Sequence, residues 1–188
     1  KDMVGTIKVG KLQAADGTGN TISIESGHKI SGAAGSLAIP GSVIQVVEGS
    51  HSNWTAVSSS SYAYASVGVE ITPKFSTSKI QVLININGIY GSTPGNAIFF
   101  ELYRDIGGGG YSSISTLGGI TGNTDASDHG TRDGTLTCSV LDSPSTTSAV
   151  NYHVYWKVVG GGDGGLCNYV GSTNGVTRSS AVAMEVVQ

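Results

Sequence analysis

Hydrophobic and polar residues alternate in short runs from residue 41 onward. In the run 79–87, Ile80, Val82, Ile84 and Ile86 fall on one face, and the residues between them are mostly polar. The same period of two recurs along the rest of the chain, and it indicates half-buried antiparallel strands. The other in-phase sets are Val67, Val69 and Ile71; Ile98, Phe100 and Leu102; Leu136, Cys138 and Val140; Val150, Tyr152, Val154, Trp156 and Val158; and Val182, Met184 and Val186.

The segments between these runs are rich in Gly, Ser, Asn and Pro, and no amphipathic helical pattern separates them. Many short strands with such connections favour an all-β fold, an antiparallel β-sandwich of jelly-roll type. The glycine-rich runs 107–110 and 160–165 are expected to be exposed loops, because glycine contributes no side chain to a core. We predict that residues 41–188 form this sandwich head.

Residues 1–40 differ from the rest of the chain. They contain no aromatic residue, break at glycine every few positions and keep only short alternating pairs, such as Ile22 with Ile24. Such a segment cannot build a core of its own. We interpret it as a short β-structured stalk intertwined between chains, with a flexible Gly/Ser linker as the alternative. Because the chain begins at Lys1, we also interpret it as a piece of a longer protein.

Composition narrows the function classes. Of the 188 residues, 12% are charged, which is about half the usual share of soluble domains, and the formal net charge is −3. The basic residues are scattered, so the footprint of nucleic-acid binding is missing. No apolar run reaches the roughly 20 residues of a membrane span. Cys138 and Cys167 are too few for a disulfide framework, and buried free thiols are favoured over a bridge between them.

The sequence lacks the motifs of several common enzyme classes. It contains no HExxH, no P-loop and no GxSxG elbow. Neither glycine-rich run is followed by a Lys-Ser/Thr pair or by the start of a helix, so neither suits a phosphate. We therefore expect no catalytic residues, no metal and no cofactor.

Polar and aromatic residues in the connections are the candidates for ligand binding. Carboxylates and an imidazole between 121 and 134 could chelate a hard cation or hydrogen-bond sugar hydroxyls, and a solvated loop is the alternative. Tyrosines beside the glycine-rich runs suit sugar stacking or protein contact, and packing of their own loop is the alternative. We expect the loops 104–113, 121–134 and 160–170 to meet at the end of the sandwich far from the stalk. The candidate receptor-binding residues are Tyr111, Asp125, Asp128, His129, Arg132, Asp163 and Tyr169.

Four segments carry a resemblance to a known family. GHKI (27–30), ITPKFSTSKI (71–80), DSPSTTSAV (142–150) and SAVAMEVVQ (180–188) resemble, in this order, the distal part of tail fibre proteins of tailed bacteriophages, marine ones in particular. The resemblance implies a homotrimeric virion fibre whose β-rich shaft ends in a globular tip on the extracellular face. It also implies that the tip attaches to a host glycan, such as lipopolysaccharide, or to an outer-membrane protein.

Two other functions remain open at this point. One is a structural trimerisation or virion-decoration module without a ligand. The other is a glycan depolymerase, which the 13 thinly spread acidic residues disfavour, because such enzymes need paired acids on a stable groove.

Overall fold

The computed structural model describes Ser26 and residues 39–53, 55–91, 97–121, 134–160, 165–167, 169–170 and 175–188. The chain divides into two units, Lys1–Ala33 and Ala34–Gln188. The predicted stalk, residues 1–40, lies almost entirely outside the described residues. All the described strands belong to the second unit.

The described residues fold into β-strands, as the period-2 pattern predicted, because each run offers one apolar face for burial. The strands are β1 (Val43–His51), β2 (Thr55–Val57), β3 (Ala63–Ile71), β4 (Lys79–Gly91), β5 (Ala97–Ile106), β6 (Ser112–Thr121), β7 (Gly134–Asp142), β8 (Val150–Val159), β9 (Gly165–Cys167), β10 (Tyr169–Val170), β11 (Gly175–Val176) and β12 (Ser179–Val186). No described residue lies in a helix long and apolar enough to cross a membrane.

Two antiparallel sheets form the sandwich. The long strands of the first sheet stand in the order β1-β12-β4-β7, and the short strands β9 and β2 continue it from the end of β4. The second sheet has the order β3-β8-β5-β6. Each sheet thus alternates strands from distant parts of the sequence, which confirms the predicted antiparallel sandwich of jelly-roll type. The short strands β10 and β11 pair with each other.

The core lies between the two sheets and follows the predicted phase in most strands. The alternate residues of β4 from Ile80 to Ile86 and those of β8 from Val150 to Val158 are buried. Trp156 is 1% exposed and packs against Phe100, with ring centroids 6.1 Å apart. These large side chains from adjacent strands fill the space between the sheets.

The last strand departs from the simple pattern. In β12 the buried residues are Ala181, Ala183 and Glu185, whereas the apolar set Val182, Met184 and Val186 is only half-buried and alternates with them. Glu185 is tolerated inside because both carboxylate oxygens accept the backbone N–H of Lys74, at 2.8 and 3.0 Å, and Oε2 also accepts Gln45 Nε2 at 2.6 Å. A buried carboxylate with this many donors meets the requirement for burying a charge.

An ion pair joins the two sheets at one end of the sandwich. Arg104 of β5 contacts both carboxylate oxygens of Asp142 of β7, at 2.8 and 2.9 Å. The buried phenol of Tyr152 donates to the same carboxylate at 2.8 Å. Burial, followed by this hydrogen bond, raises the pKa of Tyr152 far above its ordinary value. The same end of the sandwich holds the start of β1, since Val43 is paired with Val186 and Val186 with Lys79.

Candidate functional site

The outer face of the second sheet carries a row of aromatic rings. Side chains of a strand alternate between its two faces, so β8, which buries Tyr152 and Trp156, turns His153 and Tyr155 outward. Rings from β3, from β5 and from the residues just before β3 and β6 join them. We call this surface the tyrosine face; it consists of Tyr62, Tyr64, Tyr103, Tyr111, His153 and Tyr155.

His153 lies between two tyrosine rings. Its ring is stacked on Tyr64, with centroids 4.2 Å and planes 17° apart, and on Tyr111 at 4.5 Å and 21°. The hydroxyl of Tyr111 also hydrogen-bonds Nε2 of His153 at 3.2 Å. The two outer rings remain accessible, since Tyr64 is 41% exposed and Tyr111 is 38% exposed.

A second stacked pair extends the row across the sheet. Tyr103 and Tyr155 have centroids 4.1 Å and planes 28° apart. Tyr155 lies 6.0 Å from Tyr64 and 5.9 Å from Tyr111, and Tyr62 lies 6.2 Å from Tyr103. Each ring therefore touches at least one other, and the rings support each other's orientation.

A glycine makes room for the central ring. Gly68 of β3 is paired with His153, and a Cβ atom at position 68 would lie 2.4 Å from Cδ2 of His153 and 2.8 Å from the carbonyl oxygen of Tyr152. The absence of a side chain at Gly68 thus lets the imidazole lie against the strand. In the preceding residues β3 has an irregular register, with Ser66 at a φ of 62°.

The tetraglycine 107–110 is exposed, as predicted, and forms an ordered turn that positions Tyr111. Gly107, Gly108 and Gly110 have positive φ values, which glycine adopts without strain. The N–H of Gly110 donates to Oδ1 of the buried Asp105 at 2.8 Å, and the N–H of Gly107 donates to the carbonyl of Ala149 at 2.9 Å. The turn therefore brings Tyr111 back over the sheet.

Charge and burial set the protonation of the tyrosine face. Burial raises the pKa of Tyr62 to about 12, with a further contribution from its hydrogen bond to Glu101, and the pKa of Tyr103 is raised by the same two effects together with the Glu101 charge. Burial lowers the pKa of His153 below 6.5, although Asp105 acts in the opposite direction. At neutral pH the phenols of Tyr62 and Tyr103 are therefore hydroxyl donors, and the imidazole of His153 is mostly neutral. Nζ of Lys157 lies 4.4 Å from the Tyr62 centroid.

Of the three predicted loops, only 104–113 is described throughout, because 122–133 and 161–164 lie outside the described residues. The turn at 107–110 lies beside the Arg104 to Asp142 ion pair, at the end where β1 begins. The opposite end of β6 lies at Thr121, roughly 30 Å away for a strand of this length. The expectation that the loops meet at the far end is therefore wrong for 104–113.

Of the predicted site residues, the structure places only Tyr111 as a side chain. It stands on the tyrosine face. Tyr169 belongs to β10 by its backbone, and its side chain lies outside the described residues. The other predicted positions also lie outside them: Asp125, Asp128, His129, Arg132 and Asp163.

Of the residues on the tyrosine face, the sequence pattern singled out only Tyr111 as a candidate for binding. The signal that could have found the rest of this face is the outward phase of β8, where His153 and Tyr155 alternate with the buried Tyr152. Among the described residues, no group of His, Cys, Asp or Glu is arranged to hold a metal ion. Cys138 is a free, half-buried thiol that donates to the carbonyl of Leu117 at 3.3 Å, and burial raises its pKa.

The outer face of the first sheet has a different character. Val46 and Leu141 are 59% and 55% exposed, and Leu83 lies between their strands. Strand register places the half-buried Val182 and Met184 among them. We call this surface the apolar face; it consists of Val46, Leu83, Leu141, Val182 and Met184. The uncharged Gln81 and Ser139 fill the gaps and hydrogen-bond each other at 2.7 Å.

Comparison with known proteins finds distant structural likenesses. The chain is similar to the Eiger TNF of S. frugiperda, with a TM-score of 0.46 and 8% identity over 76% of this chain and 92% of that one. It is also similar to VP2 in the subviral particle of infectious bursal disease virus, with a TM-score of 0.46 and 12% identity over 85% of this chain and 37% of that one. The head is a jelly-roll-like β-sandwich. At such identities the likeness concerns the fold alone. No family model and no curated protein matches the chain.

Proposed function

We propose that this chain is the receptor-binding tip of a tail fibre on the virion of a tailed bacteriophage. In this proposal the tip attaches to the host cell surface through the tyrosine face. The observation that supports this proposal most directly is a set of stacked rings on the outer face of the second sheet. The stack on His153 ends in Tyr64 and Tyr111, and both of these rings are accessible. The resemblance of the segments 71–80 and 142–150 to phage tail fibres supplies the biological setting.

Exposed tyrosines favour a binding function over a purely structural one. Tyrosine and histidine supply large amphipathic contact area and have few rotatable bonds, so little conformational entropy is lost when a partner binds. A strand needs no aromatic residue on its solvent side to form the sandwich, because the core is made by the opposite face. A cluster of accessible rings on that side is typical of a recognition surface.

We further propose that the tip is a homotrimer and that the apolar face lies between its chains. Val46, Leu83 and Leu141 leave aliphatic side chains in water in the isolated chain, and association with a second copy would remove them. The centre of this face carries uncharged side chains, so burying it requires no desolvation of an ion. Glu48 stands at its edge, where it is paired with Arg178 at 2.6 Å.

Light scattering coupled to size exclusion tests the trimer. The proposal predicts a mass of about 57 kDa, three times that of the 19.1 kDa chain. Leu141→Glu should shift the protein toward smaller species, because it places a charge in the interface, whereas Lys74→Glu at an exposed turn should not. A mass near 19.1 kDa for the unaltered chain contradicts the trimer.

Cell binding tests the adhesin function. The labelled chain should bind a subset of a panel of bacterial strains in flow cytometry, and Tyr64→Ala and Tyr111→Ala should reduce that binding about tenfold each while the exposed control Lys74→Ala should not. Undiminished binding by both folded tyrosine variants would exclude the tyrosine face as the contact. The structural-module alternative predicts that no strain is bound.

The depolymerase alternative has its own readout. Incubation of the chain with surface polysaccharide from a bound strain should release no new reducing ends if the chain is an adhesin alone. Release of such ends would make it an enzyme.

A further inference from the structure

Carboxylates lie near the Tyr111 end of the ring stack and near Tyr62 and Tyr103. Glu70 is exposed on β3, and the Glu70 and Asp105 charges act on Tyr111 closely enough to raise its pKa, after the larger effect of burial. Glu101 is half-buried on β5 opposite Tyr155, and it raises the pKa of Tyr62 and of Tyr103 after the larger effect of burial. Flat apolar rings thus stand beside fixed hydrogen-bond acceptors.

We propose that the tyrosine face binds an uncharged, hydroxyl-rich glycan, with Tyr64 and Tyr111 against pyranose rings and the carboxylates of Glu70 and Glu101 accepting sugar hydroxyls. This inference rests on the proposed adhesin function and names the class of receptor. A pyranose has an apolar face of C–H groups and a rim of hydroxyl groups. A tyrosine beside a carboxylate offers the matching pair of surfaces.

The face is preorganised for such a ligand. His153 is held between two rings and against Gly68, and Tyr111 is held by the Gly110 to Asp105 hydrogen bond. A glycan makes weak individual contacts, so its affinity depends on avoiding the entropy of ordering the protein side chains. Rings that are already stacked in the free protein meet this condition.

The charge of the face selects against anionic ligands. Among the described side chains, Glu70, Glu101 and Asp105 contribute negative charge around the rings. The positive charge of Lys157 lies over the ring of Tyr62. A phosphorylated lipid or an acidic polysaccharide would bring further negative charge to these carboxylates, whereas a neutral sugar donates hydroxyl hydrogens to them. The surface therefore favours neutral over acidic glycans.

The distribution of aliphatic side chains selects against a protein receptor. A protein interface needs a fully buried core, which is more apolar than the rest of the surface. The exposed aliphatic residues Val46, Leu83 and Leu141 all lie on the apolar face of the opposite sheet. On the tyrosine face the stacked rings cover much of one another's apolar surface. The exposed aliphatic residue Val159 lies only at the margin of this face, at the end of β8.

The test uses one bacterial strain that binds the full chain. Its surface polysaccharide is extracted and separated by anion exchange into an unretained, neutral fraction and a retained, acidic fraction, and each is immobilised as a probe. We expect binding to the neutral fraction. Tyr64→Ala and Tyr111→Ala should each weaken it about tenfold, and Tyr111→Phe, which keeps the ring, should weaken it about threefold or less.

A separate variant tests whether the Glu70 carboxylate accepts hydrogen bonds from the sugar. The residue is exposed, so its replacement should leave folding intact. Glu70→Gln replaces an exposed carboxylate by an amide and should weaken binding to the neutral fraction about threefold. Lys74→Gln, an exposed charged residue at the turn before β4, is the control and should leave binding unchanged. Equal effects of the two variants, or none from either, would remove the carboxylates from the site.

Treatment of whole cells separates this inference from the adhesin function. Periodate, which cleaves vicinal diols of sugars, should abolish binding of the chain, and proteinase K should not. If proteinase K abolishes binding and periodate does not, the glycan inference is overturned while the adhesin function stands. Binding to the acidic fraction alone also overturns the neutral class. If no strain is bound, the adhesin function fails and the inference fails with it.

Discussion

Replacing Gly68 by alanine should break the central stack of the tyrosine face. The new Cβ would lie 2.4 Å from Cδ2 of His153, against about 3.4 Å for an ordinary contact, so the imidazole must move by about 1 Å. The carbonyl oxygen of Tyr152, 2.8 Å away, belongs to a paired strand and cannot yield as easily. Overpacking of this kind costs about 1–3 kcal/mol, and loss of one stacked pair adds about 0.5–1.5 kcal/mol.

We therefore expect Gly68→Ala to lower the free energy of unfolding by about 2–4 kcal/mol. Urea unfolding followed by tryptophan fluorescence at fixed protein concentration measures it, because an oligomer's midpoint depends on concentration. Gly109→Ala is the control. Its φ is not positive and its nearest contact is 3.3 Å away, so its effect should stay below about 1 kcal/mol.

A double-mutant cycle identifies the cause of the loss. In a His153→Ala background, Gly68→Ala should cost at least about 1 kcal/mol less, and the remainder reflects the contact with the Tyr152 carbonyl. An unchanged stability of Gly68→Ala, or the same loss in both backgrounds, would refute the proposed packing of His153 on Gly68.

Three further predictions concern the core, a buried carboxylate and pH. Trp156→Ala should lower the free energy of unfolding in urea by about 3–5 kcal/mol, because the ring is 1% exposed. Lys157→Leu on the opposite face should lower it less, and the reverse order would mean that the phase of β8 is wrong. Glu185→Ala should lower the free energy of unfolding by about 2–4 kcal/mol in calorimetry, since it removes the acceptor for the N–H groups of Lys74 and Phe75. Glu185→Gln should lower it less. Equal stability of the unaltered chain and both variants would contradict this. Because the pKa of His153 is lowered in the folded chain, the imidazole of the unfolded chain is protonated first on acidification, so stability should fall as the pH drops below about 6.5. His153→Gln should flatten this dependence. Identical pH profiles of the two proteins would contradict the prediction.

The alternation of apolar and polar residues predicts the fold because the sandwich buries one face of each strand. In β4 and β8 the apolar set is unbroken and large, from Ile80 to Ile86 and from Val150 to Val158, so its phase fixes which side faces the core. The same rule fails in β12. Glu185 faces the core there because its partners come from the remote residues Gln45, Lys74 and Phe75, which no local pattern reveals.

The tyrosine face depends on neighbours that the sequence does not place. The phase of β8 puts His153 and Tyr155 outward, but their stacking partners come from β5 and from the residues around β3 and β6. Only the order β3-β8-β5-β6 brings these segments side by side. The position of Tyr111 further requires the turn that Asp105 holds, which a run of glycines does not specify.

Protection of individual tyrosines tests the central claim, contact between the tyrosine face and the host surface. Enzymatic iodination followed by mass spectrometry should modify Tyr64 and Tyr111 readily in the free chain and leave the buried Tyr152 unmodified. On the chain bound to cells, the account predicts that iodination of Tyr64 and Tyr111 slows about tenfold or more. Iodination of both residues at the free rate, on chain that remains attached to the cells, would contradict it.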